Sequence, residues 1–270
     1  MAPAAAEMAQ AVGPVGSHTI AKGAGGAAFF DVVFGFPQYQ TLITARNSTA
    51  NGGNAIGDPK QQQQQAEGGG EELVAVGYAA PCVWGGASLE DLPPTWDHVL
   101  ATARTMLHDP ANAPKPTAMS ALAVEVSPQH QGGGLSQAVL RHMKAVAKGL
   151  RAKGLIAPIR PILKPQYPLV AMEDYITWHV PDPRDPAGPP VVFDPWLRTH
   201  IRLGARILKV AKCSALVAAP VADWEAWTRM RFLSSGPYTV PGGLNVVQVD
   251  LSTDTAVYAE DNVWVAHVLD

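Results

Sequence analysis

One run of residues, Met119 to Ile159, limits what this chain can fold into more than any other. Met119 to Val126 is mostly apolar and runs into Ser127–Pro128, the pattern of a strand closed by a turn. Gln131, Gly132, Gly133, Gly134, Leu135 and Ser136 follow. Leu135, Val139, Met143, Val146 and Leu150 then recur at helical spacing, with Arg141, Lys144, Lys148 and Arg151 on other faces. Leu155 to Ile159 is a short apolar strand. Strand, glycine-rich turn, amphipathic helix and strand make a βαβ-like unit, which points to an α/β (α+β) fold. Three glycines let the backbone turn sharply and bring its N–H groups close to a ligand. The positive end of the helix dipole adds to that, so the turn suits an anion such as phosphate. Taken alone, the same turn is equally well a flexible connector that binds nothing.

Two common phosphate loops do not fit. A P-loop ends in Gly-Lys-Ser/Thr, and here no lysine follows the glycines before Lys144. A dinucleotide fingerprint is G-x-G-x-x-G, and Gly132-Gly133-Gly134-Leu135-Ser136-Gln137 lacks its last glycine. The segment resembles instead motif A of the GNAT superfamily of acyl-CoA-dependent N-acyltransferases, Gln/Arg-x-x-Gly-x-Gly/Ala between a strand and a helix. Here it reads Gln131-Gly132-Gly133-Gly134-Leu135-Ser136, with Ser136 where Gly or Ala is usual and Gly133 where many relatives place a basic residue. The resemblance implies a mixed, mostly antiparallel sheet with splayed central strands and flanking helices. It implies that the amides of residues 131–136 hold the pyrophosphate of coenzyme A, that Val124 and Val126 pair with the pantetheine arm, and that acetyl-CoA, or the coenzyme A thioester of another short acyl group, is the co-substrate. An amine acceptor would attack directly within a ternary complex.

A second, looser match lies downstream. Many GNAT proteins carry a helix with Tyr-x-x-x-Gly before a strand, the tyrosine acting as acid toward the leaving thiolate. Trp196 to Gly204 has that shape before the strand Arg206 to Val210, but His200 stands in the tyrosine's place. Histidine can protonate a thiolate, so the resemblance makes His200 the candidate acid; a structural hydrogen bond is the other reading. Glu125, on the strand before the motif and pointing opposite to Val124 and Val126, is the candidate base. A carboxylate among apolar neighbours is costly unless paired.

Around this unit, Phe29 to Phe34 and the stretch through Tyr39 to Ala45 read as β-branched and aromatic strand material. Leu73 to Trp84 is a strand forming a hairpin with it, Trp96 to Leu107 a helix opened by Pro93–Pro94, and Asn245 to Val249 and Ala256 to Val268 are strands that complete the sheet. Residues 1–28 are expected to be a disordered tail; without a basic n-region or arginines they do not read as a signal or transit peptide. Residues 47–70, with glutamines at 61–65, read as a solvated low-complexity loop. Residues 161–195 would be an insertion over the acyl-CoA cleft within a single domain, 29–270.

Within and beside that insertion, Arg160, Lys164, Tyr167 and Tyr175 are candidate substrate-binding residues, and Glu173 and Asp174 more distant ones. Cys213 falls in a strand, where a free cysteine is usually a small buried hydrophobe. The histidines show neither i, i+4 spacing nor cysteine neighbours, so no metal is expected. A net charge of −3 argues against a nucleic-acid partner. The best apolar stretch, residues 205–222, is broken by Arg206, Lys209 and Lys212, which argues against a membrane span. Two cysteines suit a reducing compartment, hence a cytoplasmic expectation with organelle targeting left open. Asn262 to Trp264 read as an aromatic edge through which a homodimer would form. The alternative to an enzyme is a non-catalytic acyl-CoA-binding or scaffold protein that kept the fold.

Overall fold

The protein is described from a computed structural model covering residues 24–46, 71–86 and 88–269. The glutamine-rich loop 47–70 and residues 1–23 of the expected tail lie outside the described residues. Eight strands form one sheet in the order β1 (Thr41–Arg46), β2 (Glu71–Cys82), β3 (Ala118–Val126), β4 (Leu155–Ile159), β10 (Thr255–His267), β9 (Val247–Asp250) and β8 (Gly236–Tyr238), with β7 (Ala205–Ala219) paired to β10. Every pairing is antiparallel except β3–β4. A small hairpin of β5 (His179–Val180) and β6 (Val191–Val192) stands apart.

Helices cover both faces. The helix predicted after the glycine turn, α3 (Leu135–Gly149), buries Val139, Leu140, Met143 and Ala147 on one face, against Met119, Leu155 and Val265. It comes so close to β2 that a Cβ on Gly77 would lie 2.4 Å from Val139 Cγ1. On the opposite face α2 (Trp96–His108) packs Val99, Leu100 and Ala103 against Ala80, Ile156 and Trp264. Thr95 caps this helix by accepting from the His98 amide. Beside it, α1 (Ala24–Gly35) lays Val33 on Val76 and Tyr78.

Helix α1 corrects the sequence reading, which made Phe29–Phe34 a strand and began the ordered chain at residue 29. Phe29, Val32, Val33 and Phe36 recur at i, i+3, i+4 and i+7, and Val32 and Val33 are buried; Phe29 meets the rings of Tyr78 and Trp96. That helical period outweighs the strand preference of the residue types. The aromatic edge is also corrected. Trp264 is fully buried, and β10 is an inner strand with β7 along one side and β4 and β9 sharing the other. The homodimer expectation loses that support. Cys213 is exposed, not buried; its φ of 48° marks an irregularity in β7, where the register with β10 shifts.

Two irregularities of β3 shape the site. The parallel ladder to β4 consists of Met119↔Leu155 and Ser120↔Ile156, beyond which the strands part. On its other side Tyr78 pairs with Ala123 while Ala79 pairs with Ala121, so Leu122 is an extra residue, a bulge that reverses which side chains face which helix.

Candidate active site

Pro128–His130 form a short 3-10 turn after β3, and Gln131 Nε2 donates back to the Val126 carbonyl at 3.3 Å. Gly132 and Gly134 both adopt φ 81°, a left-handed conformation that side chains resist. A Cβ at either would meet nothing within 4 Å, and one at Gly133 would meet the His130 carbonyl at 3.7 Å. Two of the glycines thus serve the backbone shape, and the space before them is open. Leu135 anchors the far side by packing on the α3-face core, and Ser136 lies half-buried in the first turn. Gly134 is the N-cap, with no side-chain cap and no acidic residue in the first turn. The leading N–H groups of α3 therefore have neither an intrahelical acceptor nor a capping side chain, and the dipole there favours an anion.

Beyond the bulge, Val124 stands opposite Gly77 and packs with Val126 on the α3 face. Glu125 stands opposite Val76 on the other face, beside Tyr78 and under α1. It is half-buried, and burial pushes its carboxyl above the usual carboxylate range. Burial, helped by that carboxylate, pushes the Tyr78 phenol up to about 12. Glu125 has no hydrogen bond or ion pair among the described residues. Other buried acids are fully engaged: Asp194, for instance, accepts from Leu163, Trp196 and Leu197 amides and the Tyr175 hydroxyl. The open, uncapped start of α3 thus lies toward the α3 face, and a carboxylate without an ion pair or hydrogen bond among the described residues sits on the α1 face, with the parted strands between.

No protein-family model matches the chain. It is 31% identical over 210 residues, 73% of this chain and 71% of the relative, to the arginine N-acetyltransferase avaD of Aspergillus versicolor. The chain belongs to the GNAT superfamily. It is an acetyltransferase. Among solved structures it is similar to the loading GNATL domain of CurA from Lyngbya majuscula, with a TM-score of 0.42, 17% identity and cover of 73% of this chain and 72% of that one. It is similar also to the GphF GNAT-like decarboxylase in complex with isobutyryl-CoA, with a TM-score of 0.37, 21% identity and cover of 76% and 75%. Likeness of that degree decides nothing about chemistry.

In this GNAT chain several sequence candidates are brought to the site, and others are turned inward. His200, on α5 (Pro195–Arg202), is 1% exposed. Its Nδ1 lies 2.9 Å from His267 Nε2, and Trp196 stacks edge-on against it. Burial, reinforced by His267, pushes its pKa down to about 3. A buried imidazole held neutral is a poor proton donor, so the acid role drawn from the tyrosine position does not suit it. Lys164 is fully buried, its Nζ donating to the Tyr167 and Leu244 carbonyls, and burial lowers its pKa. Tyr175, on the short helix α4 (Met172–Tyr175), is buried and donates to Asp194 at 2.9 Å. Lys164 and Tyr175 are internal supports of the insertion, where the sequence reading made them substrate contacts. Tyr167 is half-buried in an aromatic cluster with Tyr175, Trp178 and Phe193. Glu173 pairs with Lys212 at 2.7 Å.

Arg160 follows β4 directly and keeps 30% of its side chain exposed. Its Nε donates to Glu260 Oε2 at 3.0 Å and its Nη2 to the Gly242 carbonyl. Sequence reasoning missed the acid behind it. Glu260, Asp261 and Asn262 are all buried in mid-strand, and three consecutive polar residues inside an otherwise apolar β10 were the available signal. Tyr258 and Asn262 donate to Glu260 at 2.7 and 3.1 Å.

Proposed function

We propose that this acetyltransferase moves an acetyl group from acetyl-CoA to an amine by direct attack, with coenzyme and acceptor reaching the parted strands β3 and β4 from opposite faces. The observation that carries this reading is the uncapped N-terminus of α3 behind an open glycine turn on one face, set against unpaired Glu125 on the other. Residues 131–136 would hold the pyrophosphate through backbone N–H groups, and Val124 and Val126 would run beside the pantetheine. The thioester supplies the activated acyl carbon. Glu125 takes a proton from the acceptor's ammonium and frees the neutral amine, which attacks the thioester carbon; the C–S bond then breaks and coenzyme A leaves as the thiolate, which takes up a proton. The raised pKa of Glu125 brings it nearer to the amine's and makes it a better base than an exposed carboxylate. Backbone N–H groups of β3 near the Leu122 bulge, where the strands part, would stabilise the oxyanion. The relative is named for arginine, which makes arginine the first acceptor to try.

Calorimetric titration with acetyl-CoA tests the coenzyme half. Gly133→Val is the informative variant, because position 133 carries no left-handed strain and a branched side chain there projects from the turn. Micromolar binding by the native protein that is abolished in Gly133→Val supports the cradle; equal binding by both proteins removes it.

A further inference from the structure

Arg160 lies on the acceptor's face of the sheet. Ile159 belongs to the α3-side core and pairs with Val263, so the next side chain turns to the opposite face. Its partner Glu260 stands opposite Ala215, a member of the α2-side core. Arg160 and Glu125 thus project to the same face from the two strands that part. They also stand at the same height. Arg160 is four residues beyond Ile156, and Glu125 is five beyond Ser120, the last paired partners, with one residue of β3 taken up by the bulge.

The guanidinium is pre-set. Glu260 and the Gly242 carbonyl hold Nε and Nη2, and Glu260 is itself fixed by Tyr258 and Asn262. Nη1 takes no part in those bonds, and the side chain remains 30% exposed. A planar guanidinium held at Nε and Nη2 beside Glu260 and Tyr258, with its side chain part exposed, is suited to a carboxylate or phosphate. The coenzyme's phosphates belong to the opposite face, which leaves a carboxylate of the acceptor.

We propose that Arg160 anchors the acceptor's carboxylate while Glu125 receives its ammonium, so that the acceptor is a free amino acid. The inference rests on the acetyl-transfer reading. Glu125 would meet the ammonium end of a zwitterion, and the donors of Arg160 left over from its pair with Glu260 would meet the carboxylate end.

The test measures acetylation of a panel of free L-amino acids beside the matching amino-acid amides, with acetyl-CoA as donor. The native protein uses the acids with kcat/KM roughly 10- to 100-fold above the amides, the effect of one charge-assisted hydrogen bond. Arg160→Lys keeps a cation beside Glu260 but loses the fork; it lowers kcat/KM for the acids by a similar factor, mainly through KM, and leaves the amides within about threefold. Amides used as well as acids by the native protein overturn the proposal without needing any variant. So does an equal loss on both series in an Arg160→Lys protein whose thermal melt is native-like. Coenzyme binding without turnover of any amino acid overturns the anchor alone. Absence of both coenzyme binding and acetylation of any amine overturns the acetyl-transfer reading beneath it.

Discussion

Glu125 is the residue on which the proposed chemistry turns. Its carboxyl is raised by burial, and a base works only when deprotonated, so activity is lost as pH falls through that raised pKa. We expect kcat/KM to decline on the acid side with a midpoint above that of an exposed glutamate. Glu125→Gln should cost roughly 100-fold or more in kcat, a usual share for general-base catalysis, with acetyl-CoA affinity unchanged. A variant retaining native kcat and the same acid limb would remove Glu125 from the mechanism. The histidine pair acts on stability instead. Burial holds His200 near about 3 and His267 near about 4, whereas unfolded imidazoles titrate near 6.5. Between those values the unfolded chain binds more protons, so stability is complete above about pH 6.5 and falls as pH drops. Each imidazole adds a slope of up to about 1.4 kcal/mol per pH unit. Urea midpoints at pH 7 and pH 5 should therefore differ more in the native protein than in a His200→Leu/His267→Leu variant; equal differences would contradict the linkage. Glu125 was legible in the sequence because a lone acid interrupts an apolar strand ahead of the glycine turn. His267 was not, since one histidine at a strand end gives no sign that another buried ring, 67 positions away in the chain, will meet it.

The elements that build the proposed coenzyme cradle were legible almost to the residue, because turn, helix and strand there are all local in sequence. Hydrophobic period fixes α3, proline closes β3, and glycine marks the turn. Helix α1 was misread because its composition and its period disagree, and only the docked face of Val32 and Val33 decides between them. The glycines divide by role. Gly132 and Gly134 hold φ 81°, so alanine at either should cost about 1 kcal/mol or more of stability through left-handed strain, whether or not coenzyme binds there. Gly133→Ala should leave stability nearly unchanged, since its Cβ would meet the His130 carbonyl at an ordinary 3.7 Å. Thermal melts of the three alanine variants without ligand check this ordering; a Gly133→Ala loss as large as the other two would show that the turn is strained throughout. Gly77 sets a different limit. Its absent Cβ would lie 2.4 Å from Val139 Cγ1, so it keeps β2 and α3 in contact through space and not through backbone shape.

Across the whole molecule, the long-range organisation is what the sequence hid. Strand β10 is a spine, with β7 on one side and β4 and β9 on the other, and the polar residues Glu260, Asp261 and Asn262 fall where that second side changes partner. No local pattern announces such a junction. The insertion between β4 and α5 was visible as a proline-rich irregularity, but not what closes it. Asp194 does: it is 1% exposed and accepts from the Leu163 amide at the insertion's start, the Tyr175 hydroxyl at its middle, and the Trp196 and Leu197 amides where α5 begins. One carboxylate thereby ties both ends of the segment and its aromatic cluster to the helix beside the sheet. Asp194→Ala removes a helix cap and strands two further buried donors, a loss of about 2–4 kcal/mol. Asp194→Asn, which keeps an acceptor oxygen at Oδ1 for the α5 amides, should lose less. Hydrogen exchange locates the effect. In Asp194→Ala, amides of residues 161–194 should exchange faster while those of β2 and β3 keep their protection relative to the lowered global stability. Uniform acceleration across the molecule would mean instead that the insertion opens only with the whole domain, and that Asp194 fastens nothing which can come loose by itself.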